Sequence, residues 1–139
     1  MDAEGRNAGL DLVRGGAPGL GVTLWCVGGP EGGGAMLAEG GGFCDAVLFV
    51  HAHRAVAAAD DQTLAEVAEL ALAFAPSKER FLETTAQGRA FLDTTRAAWP
   101  CAALEALPAT GPIALPVAVA AACAGHGIAA AHALHAYLH

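Results

Sequence analysis

Glycine and alanine divide this chain into two parts that cannot fold in the same way. Fourteen of the 18 glycines fall within the first 42 residues, and 30 of the 35 alanines fall after residue 43. Glycine loses more backbone entropy on folding than any other residue, whereas alanine is the strongest helix former. We therefore expect residues 1–43 to be mostly irregular and residues 44–139 to form an all-α domain, an alanine-rich bundle of about six helices.

Capping residues and helix breakers define the first two predicted helices. Asp45 is a candidate N-cap for a helix that ends near Ala58, since short polar side chains accept hydrogen bonds from the first free backbone N–H groups. Asp60 or Asp61 is a candidate cap for the second helix. Pro76 then stops that helix, because a proline disfavours the helical conformation of the residue before it.

The third predicted helix is the longest and carries a glycine in its apolar seam. Ser77 is its candidate cap, and the pattern continues to about Trp99. Within this helix Gly88 costs roughly 1 kcal/mol relative to alanine. We expect a second helix to cross closely at Gly88, because a close approach would explain the missing side chain. The predicted face comprises Phe81, Thr84, Thr85, Gly88, Phe91, Leu92, Thr95 and Trp99.

Prolines and glycines divide the remaining sequence into shorter helices. Pro100 and Pro108 bracket the first of them, and Gly125 and Gly127 end the second. The predicted ranges are 101–107, 115–124 and 128–138.

Composition excludes several classes of protein. The net charge is −7 with only seven Lys and Arg residues, whereas a nucleic-acid interface needs clustered positive charge. The polar N-terminus MDAEGRNAG lacks the basic and apolar regions of a secretory leader. The apolar stretch 113–138 is mostly alanine and holds three histidines, which predicts soluble helices and no membrane span. We interpret the four cysteines as reduced thiols of a cytoplasmic protein: Cys26, Cys44, Cys101 and Cys123.

No motif for catalysis or phosphate binding is present. A P-loop requires a lysine directly after its glycines, and the only lysine, Lys78, follows none. The glycine runs also lack the strand and helix that flank a dinucleotide-binding turn. Ser77 is the only serine, and its position after a proline favours a helix cap over a nucleophile. We therefore predict that the protein is not an enzyme and binds no cofactor directly.

Histidines are the only candidate metal ligands with suitable spacing. His51 and His53 point about 200° apart on a helix and cannot share one ion. His132, His135 and His139 share a face, and the last two form an i, i+4 pair of the kind that chelates nickel or zinc. No acidic or cysteine ligand lies nearby in the sequence. A small helical metal-binding or metal-carrier protein that uses these three residues is therefore the alternative hypothesis.

A polar stripe follows the third helix beside its glycine. Arg80, Glu83 and Gln87 are spaced by three and four residues and lie next to Gly88. Most such stripes are solvated surface with a weak Arg–Glu pair, and spacing alone favours that interpretation. The other interpretation is a polar rim on which a partner protein docks. These four residues are therefore the candidate partner interface.

Several segments resemble the UreF family of urease accessory proteins. Each is unspecific alone, because alanine-rich helices are common, but their order across residues 44–139 is much more specific. The segments are DAVLFVHAHRA (45–55), the stretch 65–92 that contains APSKERFLETTAQGRAFL, the Trp99–Pro100 pair, LPVAVAAACAGHGI (115–128) and AYLH (136–139).

This resemblance implies a helical cytoplasmic scaffold with no known chemistry of its own. UreF proteins bind the accessory protein UreD, called UreH in some organisms, and the GTPase UreG on apo-urease. GTP hydrolysis then drives nickel delivery, with UreF likened to a GTPase-activating or gating component. Nickel and GTP would be handled by the partners, and a homodimer is a further family expectation. Glu83, Gln87 and Gly88 match the family's E…QG pattern and are expected to serve the fold or an interface.

Residues 1–43 depart from the family pattern. They contain nothing similar to its SPxxPVGxFSYSHGLE motif, and a PLGQ-like motif that follows the position of His139 in the family is also missing. We expect a family fragment preceded by foreign residues from a shifted reading frame in GC-rich DNA. Translation of the other two frames upstream of codon 44 should then show the FSYSHGLE-like motif.

Overall fold

The structure, a computed structural model, describes residues 41–139 and contains six helices within them. No strand occurs in this range, so the all-α prediction is confirmed for it. The predicted irregular segment lies outside the described residues, except that Gly41 to Phe43 are already helical. The helices are α1 (Gly41–Ala57), α2 (Asp61–Ala73), α3 (Lys78–Ala98), α4 (Ala102–Glu105), α5 (Leu115–Gly125) and α6 (Ala130–Leu138).

Two of the predicted helix caps are confirmed. Asp60 precedes α2, and its carboxylate accepts a hydrogen bond from the backbone N–H of Thr63 at 3.0 Å. Ser77 precedes α3, and its hydroxyl oxygen accepts one from the backbone N–H of Arg80 at 3.1 Å. Both caps satisfy donors that the first turn of a helix leaves free.

The predicted cap at Asp45 is wrong. Helix α1 begins at Gly41, so Asp45 lies one turn inside it. Its carboxylate accepts a hydrogen bond from the hydroxyl of Tyr137 on α6 at 2.9 Å. The Tyr137 ring also packs against Phe49, with 5.1 Å between ring centroids. The Asp45 side chain therefore links α1 to α6 and does not cap a helix.

Helix α5 is the centre of the bundle and contacts each of the other five described helices. It is built almost entirely from small residues, which allow neighbouring backbones to approach closely. Around it pack Phe49 and Val50 of α1, Leu92 of α3 and Leu134 of α6, all with no exposed surface. The alanines of the sequence thus form a thin core in which backbones, more than side chains, fill the space.

Gly88 lies at the closest contact between α3 and the segment that enters α5. A Cβ atom at this position would overlap the carbonyl oxygen of Ile113 and would lie 2.8 Å from the backbone nitrogen of Leu115. The predicted close approach is therefore present. The neighbour is not the middle of a crossing helix, however, but the extended backbone at Ile113 and Ala114 just before α5. We call this contact the Gly88 seam. Next to it, the hydroxyl of Thr84 accepts a hydrogen bond from the N–H of Leu115 at 3.1 Å.

Two arginines of α3 hold the loop between α4 and α5. The Arg96 guanidinium donates to the carbonyls of Leu104 and Leu107, the latter at 2.8 Å. The Arg89 guanidinium donates to the carbonyls of Pro108 and Gly111 at 3.2 and 3.3 Å. Because backbone carbonyls at and beyond the end of a helix need donors, these side chains fix the end of α4 and the loop that follows it.

Candidate functional site

Five large apolar side chains of the described domain are exposed to solvent. Phe74, Trp99 and Leu82 are the most exposed, at 58%, 57% and 55%. Leu70 and Ile128 follow at 46% and 36%. Single exposed apolar residues are common on soluble proteins, so their arrangement matters more than their number.

Leu70 and Phe74 lie on the wall of an apolar groove between α1 and α2. The groove has a volume of about 620 Å³. Its polar side chains are few and include one carboxylate, Glu66. Its lining residues are Cys44, Val47, Leu48, His51, Thr63, Glu66, Val67, Leu70 and Phe74. A concave apolar surface of this kind suits the side chains of another helix.

A second depression continues this groove on the other side of Phe74. It measures about 250 Å³ and reaches the start of α3 and α5, where Arg80 and Pro116 line it. Both depressions share Cys44, Leu48 and Phe74. We call the continuous area formed by the two depressions the Phe74 surface.

The predicted polar stripe reaches the Phe74 surface at one end. Arg80 lines the second depression and forms an ion pair with Glu83, with 2.6 Å between Nη1 and Oε2. Both side chains are more than half exposed, at 54% and 51%. Gln87 is also exposed, whereas Gly88 is buried in the Gly88 seam. The structure therefore leaves three of the four candidate interface residues on the surface and gives the fourth a packing contact inside the chain.

The internal histidines have separate structural contacts. His53 is buried, and its Nε2 lies 2.8 Å from the carbonyl oxygen of Ile128. His51 lines the apolar groove, where burial and then the nearby Arg54 charge lower the pKa of its imidazole. His126 stacks on Trp99 with 3.8 Å between ring centroids. These contacts place the three imidazoles at different parts of the domain.

The three C-terminal histidines lie on the exposed side of α6. The rings of His135 and His139 are 4.6 Å apart between centroids, at an interplanar angle of 42°. His132 is exposed one turn earlier. Across residues 41–139, no three His, Cys, Asp or Glu side chains come together as a metal-binding group. A site built on α6 would therefore hold two protein ligands.

Three cysteines lie within the described residues. Cys44, Cys101 and Cys123 are free thiols. Burial raises the pKa of the Cys123 thiol, which disfavours the nucleophilic thiolate.

Within residues 41–139, none of the helices combines the length and the apolarity that a membrane span requires.

Helical periodicity in the sequence does not mark Leu70 and Phe74 as surface residues. Both continue the apolar pattern of α2, whose residues Leu64, Val67, Ala68 and Ala71 are buried. One signal was available, since Phe74 is the C-cap of α2 and lies two residues before Pro76. When a helix ends at an aromatic residue, no further helical turn can pack over the ring.

Comparison with known sequences shows which family the chain resembles. The sequence model of the UreF family matches residues 34–139, beginning ten residues before the boundary predicted at residue 44. A urease accessory protein UreF of Rhodopseudomonas palustris (strain BisB5) is 55% identical over 107 residues, which is 76% of this chain and 44% of the relative. The UreF of Xanthobacter autotrophicus (strain ATCC BAA-1158 / Py2) is 52% identical, again over 107 residues and with the same coverage of both chains.

The chain thus spans less than half the length of these curated relatives. No solved structure matches it.

Proposed function

Because the chain belongs to the UreF family of urease accessory proteins, we propose that it acts as a non-catalytic scaffold for nickel insertion into apo-urease. In this role it would bind UreD (UreH) and the GTPase UreG in the cytoplasm and regulate the GTPase. Nickel and GTP would be cargo and substrate of the complex.

The single observation that carries the proposal is the Phe74 surface. It is apolar, concave and continuous, and its exposed side chains Leu70 and Phe74 would gain free energy from burial. Lasting protein interfaces are more apolar than transient ones. We therefore assign this surface to UreD, the partner that would stay bound while GTP is turned over.

The polar stripe suits the transient partner better. Arg80 and Glu83 are exposed and form a surface ion pair, which contributes only about 0–1 kcal/mol to stability. Charged side chains of this kind affect association rate and specificity more than the fold. We assign the stripe of Arg80, Glu83 and Gln87 to UreG, with Arg80 at the border between this stripe and the Phe74 surface.

Co-purification from one host tests the assignment to UreD. Phe74→Asp places a charge on the groove wall and should reduce capture of UreD by about tenfold or more, as loss of a central interface anchor does. Leu82→Asp is the matched control, because Leu82 is about as exposed as Phe74 but lines neither depression. Equal loss in the control, or full capture by the Phe74 variant, would contradict the assignment.

Variants that reverse the charge of one member of the ion pair test the assignment to UreG. Arg80→Glu alone should weaken capture of UreG, because the carboxylate would face Glu83 and reverse the local charge. If the pair acts only as a solvated surface, neither Arg80→Glu nor Glu83→Arg will change UreG capture while UreD stays bound. That outcome would remove the stripe from the interface and leave the UreD assignment intact.

A further inference from the structure

The apolar groove of the Phe74 surface lies between two antiparallel helices that present matching stripes. Residues 58–60 join α1 to α2, and the start of α1 lies beside the end of α2, since Cys44 and Phe74 line the same two depressions. The lining residues run from Cys44 to His51 on α1 and from Thr63 to Phe74 on α2. Within each set they follow the three- and four-residue spacing that keeps side chains on one face of a helix. Each helix therefore presents a single stripe, and a third helix laid between them would contact both.

The stripe on α2 sets the length of helix that the groove can hold. From Thr63 to Phe74 the axis of α2 advances by about 16 Å, or three turns. The side chains between these ends are mostly apolar and include Val47, Val67 and Leu70. A ligand that matches the groove therefore needs about three helical turns with apolar residues on one face.

The charge on the groove comes from one carboxylate. Glu66 is the only Asp or Glu among its lining residues, and no Lys or Arg of residues 41–139 lines it. Within the same range Glu66 forms no ion pair and accepts a hydrogen bond from the neutral amide of Gln62 at 3.2 Å. His51 adds no positive charge at pH 7, because burial and then the Arg54 charge lower the pKa of its imidazole.

The two helices that form the groove are also acidic as a whole. Residues 41–73 contain five carboxylates, one arginine and no lysine. Arg80 brings a positive charge to the Phe74 surface, but it lines the second depression and is paired with Glu83. A ligand of the groove therefore gains from a positive charge placed beside Glu66.

We propose that the groove binds an amphipathic helix of about three turns that carries a lysine or arginine opposite Glu66. The apolar face of this helix would supply the affinity, and its basic flank would fix the register and exclude acidic competitors. In naming UreD as the protein that supplies the helix, the proposal rests on the proposed function.

Two designed peptides test the proposal on the full chain. Both have about fourteen residues with leucines at helical spacing, and they differ only in the flanking residues, which are lysines in one and glutamates in the other. Fluorescence anisotropy should give a Kd about fivefold or more lower for the lysine peptide. Added salt should reduce this difference, because it screens exposed charges.

Glu66→Lys should reverse the preference, so that the glutamate peptide binds more tightly. Glu69→Lys is the matched control, because Glu69 is also an exposed carboxylate of α2 but lines neither depression. It should change the ratio of the two Kd values by less than about twofold, since its charge acts through solvent. Both positions are exposed, so both variants should unfold at the temperature of the wild type.

Three results would overturn the proposal. The first is an equal Kd for the two peptides, and the second is an equal effect of Glu66→Lys and Glu69→Lys. The third is a wild-type dimer, seen by analytical ultracentrifugation, that must dissociate before the lysine peptide binds. That result would assign the groove to a second copy of the chain.

Capture of UreD separates this proposal from the scaffold role. Glu66→Lys should weaken UreD capture, and Glu69→Lys should leave it unchanged. If Phe74→Asp abolishes capture but Glu66→Lys does not weaken it, the basic helix is excluded and the UreD assignment stands. If the wild type captures no UreD while the lysine peptide binds as expected, the UreD assignment fails and the groove keeps its class of ligand.

Discussion

The Gly88 seam and the Phe74 surface lie on the same small domain but are opposite in construction. At the seam, a glycine brings the backbone of α3 against that of Ile113 to Leu115, with no space for a Cβ atom. At the Phe74 surface, large side chains stand beside a groove of about 620 Å³ and remain partly in water. At the seam a missing side chain lets two backbones meet, whereas at the Phe74 surface large apolar side chains have no neighbour that covers them within residues 41–139.

The largest effect on stability should come from adding a side chain at the Gly88 seam. Gly88→Ala should lower the free energy of unfolding by about 3 kcal/mol, because the new Cβ meets backbone atoms that cannot move without displacing α5. This cost exceeds the gain of about 1 kcal/mol in helix propensity. Urea unfolding followed by circular dichroism measures it.

Gly125→Ala is the control for the seam. Its new Cβ would meet the Sγ of Cys101 at 2.5 Å and the Cβ of Ala103 at 2.9 Å. The Cys101 side chain can rotate away, whereas the Ala103 Cβ moves only with its backbone, and at Gly88 all the close atoms are backbone atoms. We expect a loss of about 1–2 kcal/mol, in the lower part of the range of overpacking costs. Equal losses for the two substitutions would contradict a special role of Gly88.

Arg96→Ala should cause the next largest loss of stability, because Arg96 lies on α3, in the packed region near the Gly88 seam. It removes the donors to the carbonyls of Leu104 and Leu107, and charged hydrogen bonds of this kind contribute about 2 kcal/mol. The exposed Arg80→Ala should cost less than about 0.5 kcal/mol. Urea unfolding of both variants compares them, and a similar loss in both would show that Arg96 does not fix the loop.

Tyr137→Phe should cost about 1 kcal/mol, the usual value for one hydrogen bond, here that to Asp45. Burial, the negative charge of Asp45 and this hydrogen bond raise the pKa of the Tyr137 phenol above its ordinary value. The unfolded chain therefore ionises first, near pH 10, and the stabilisation present below that pH is lost as the pH rises further.

Absorbance at alkaline pH reports on this residue directly, because Tyr137 is the only tyrosine. In native protein the phenolate signal should appear later than in urea-unfolded protein. The stability of the Tyr137→Phe variant should fall less steeply above about pH 10, where an ordinary tyrosine ionises. Coincident titrations of the folded and unfolded chains would exclude the contact with Asp45 as a determinant of stability.

The smallest effect on stability should come from a substitution on the Phe74 surface. Phe74→Ser should change the free energy of unfolding by less than about 0.5 kcal/mol, because 58% of the side chain is already exposed. The same substitution should reduce binding of an apolar fluorescent dye. A loss above about 2 kcal/mol, the cost of emptying a packed core position, would show that Phe74 belongs to the core.

Local signals in the sequence predicted local structure well. The caps Asp60 and Ser77 act within three residues of themselves, and both are confirmed. Asp45 has the same side chain chemistry as Asp60, yet its partner Tyr137 lies 92 residues away. A cap preference cannot compete with a tertiary contact that the sequence does not display.

The candidate site was predictable only in part, for a related reason. Helical spacing placed Arg80, Glu83 and Gln87 on one stripe, and they are exposed together. The same spacing predicted a face that includes both Gly88 and Trp99, but Gly88 is buried and Trp99 is 57% exposed. Periodicity gives the direction in which a side chain points, and only the neighbouring elements determine whether anything lies there.

By itself, the sequence determined an all-α domain, the positions of its breaks and the need for a close approach at Gly88. These follow from backbone entropy, from helix capping and from the absence of a side chain at Gly88. All three depend on residues that are close together in the sequence. Only the tertiary structure decided that Ile113 to Leu115 fill the space at Gly88, that Asp45 reaches Tyr137, and that Phe74 stands beside an open groove. Those contacts join residues distant in the chain, and their free energy depends on which surfaces meet when the helices pack.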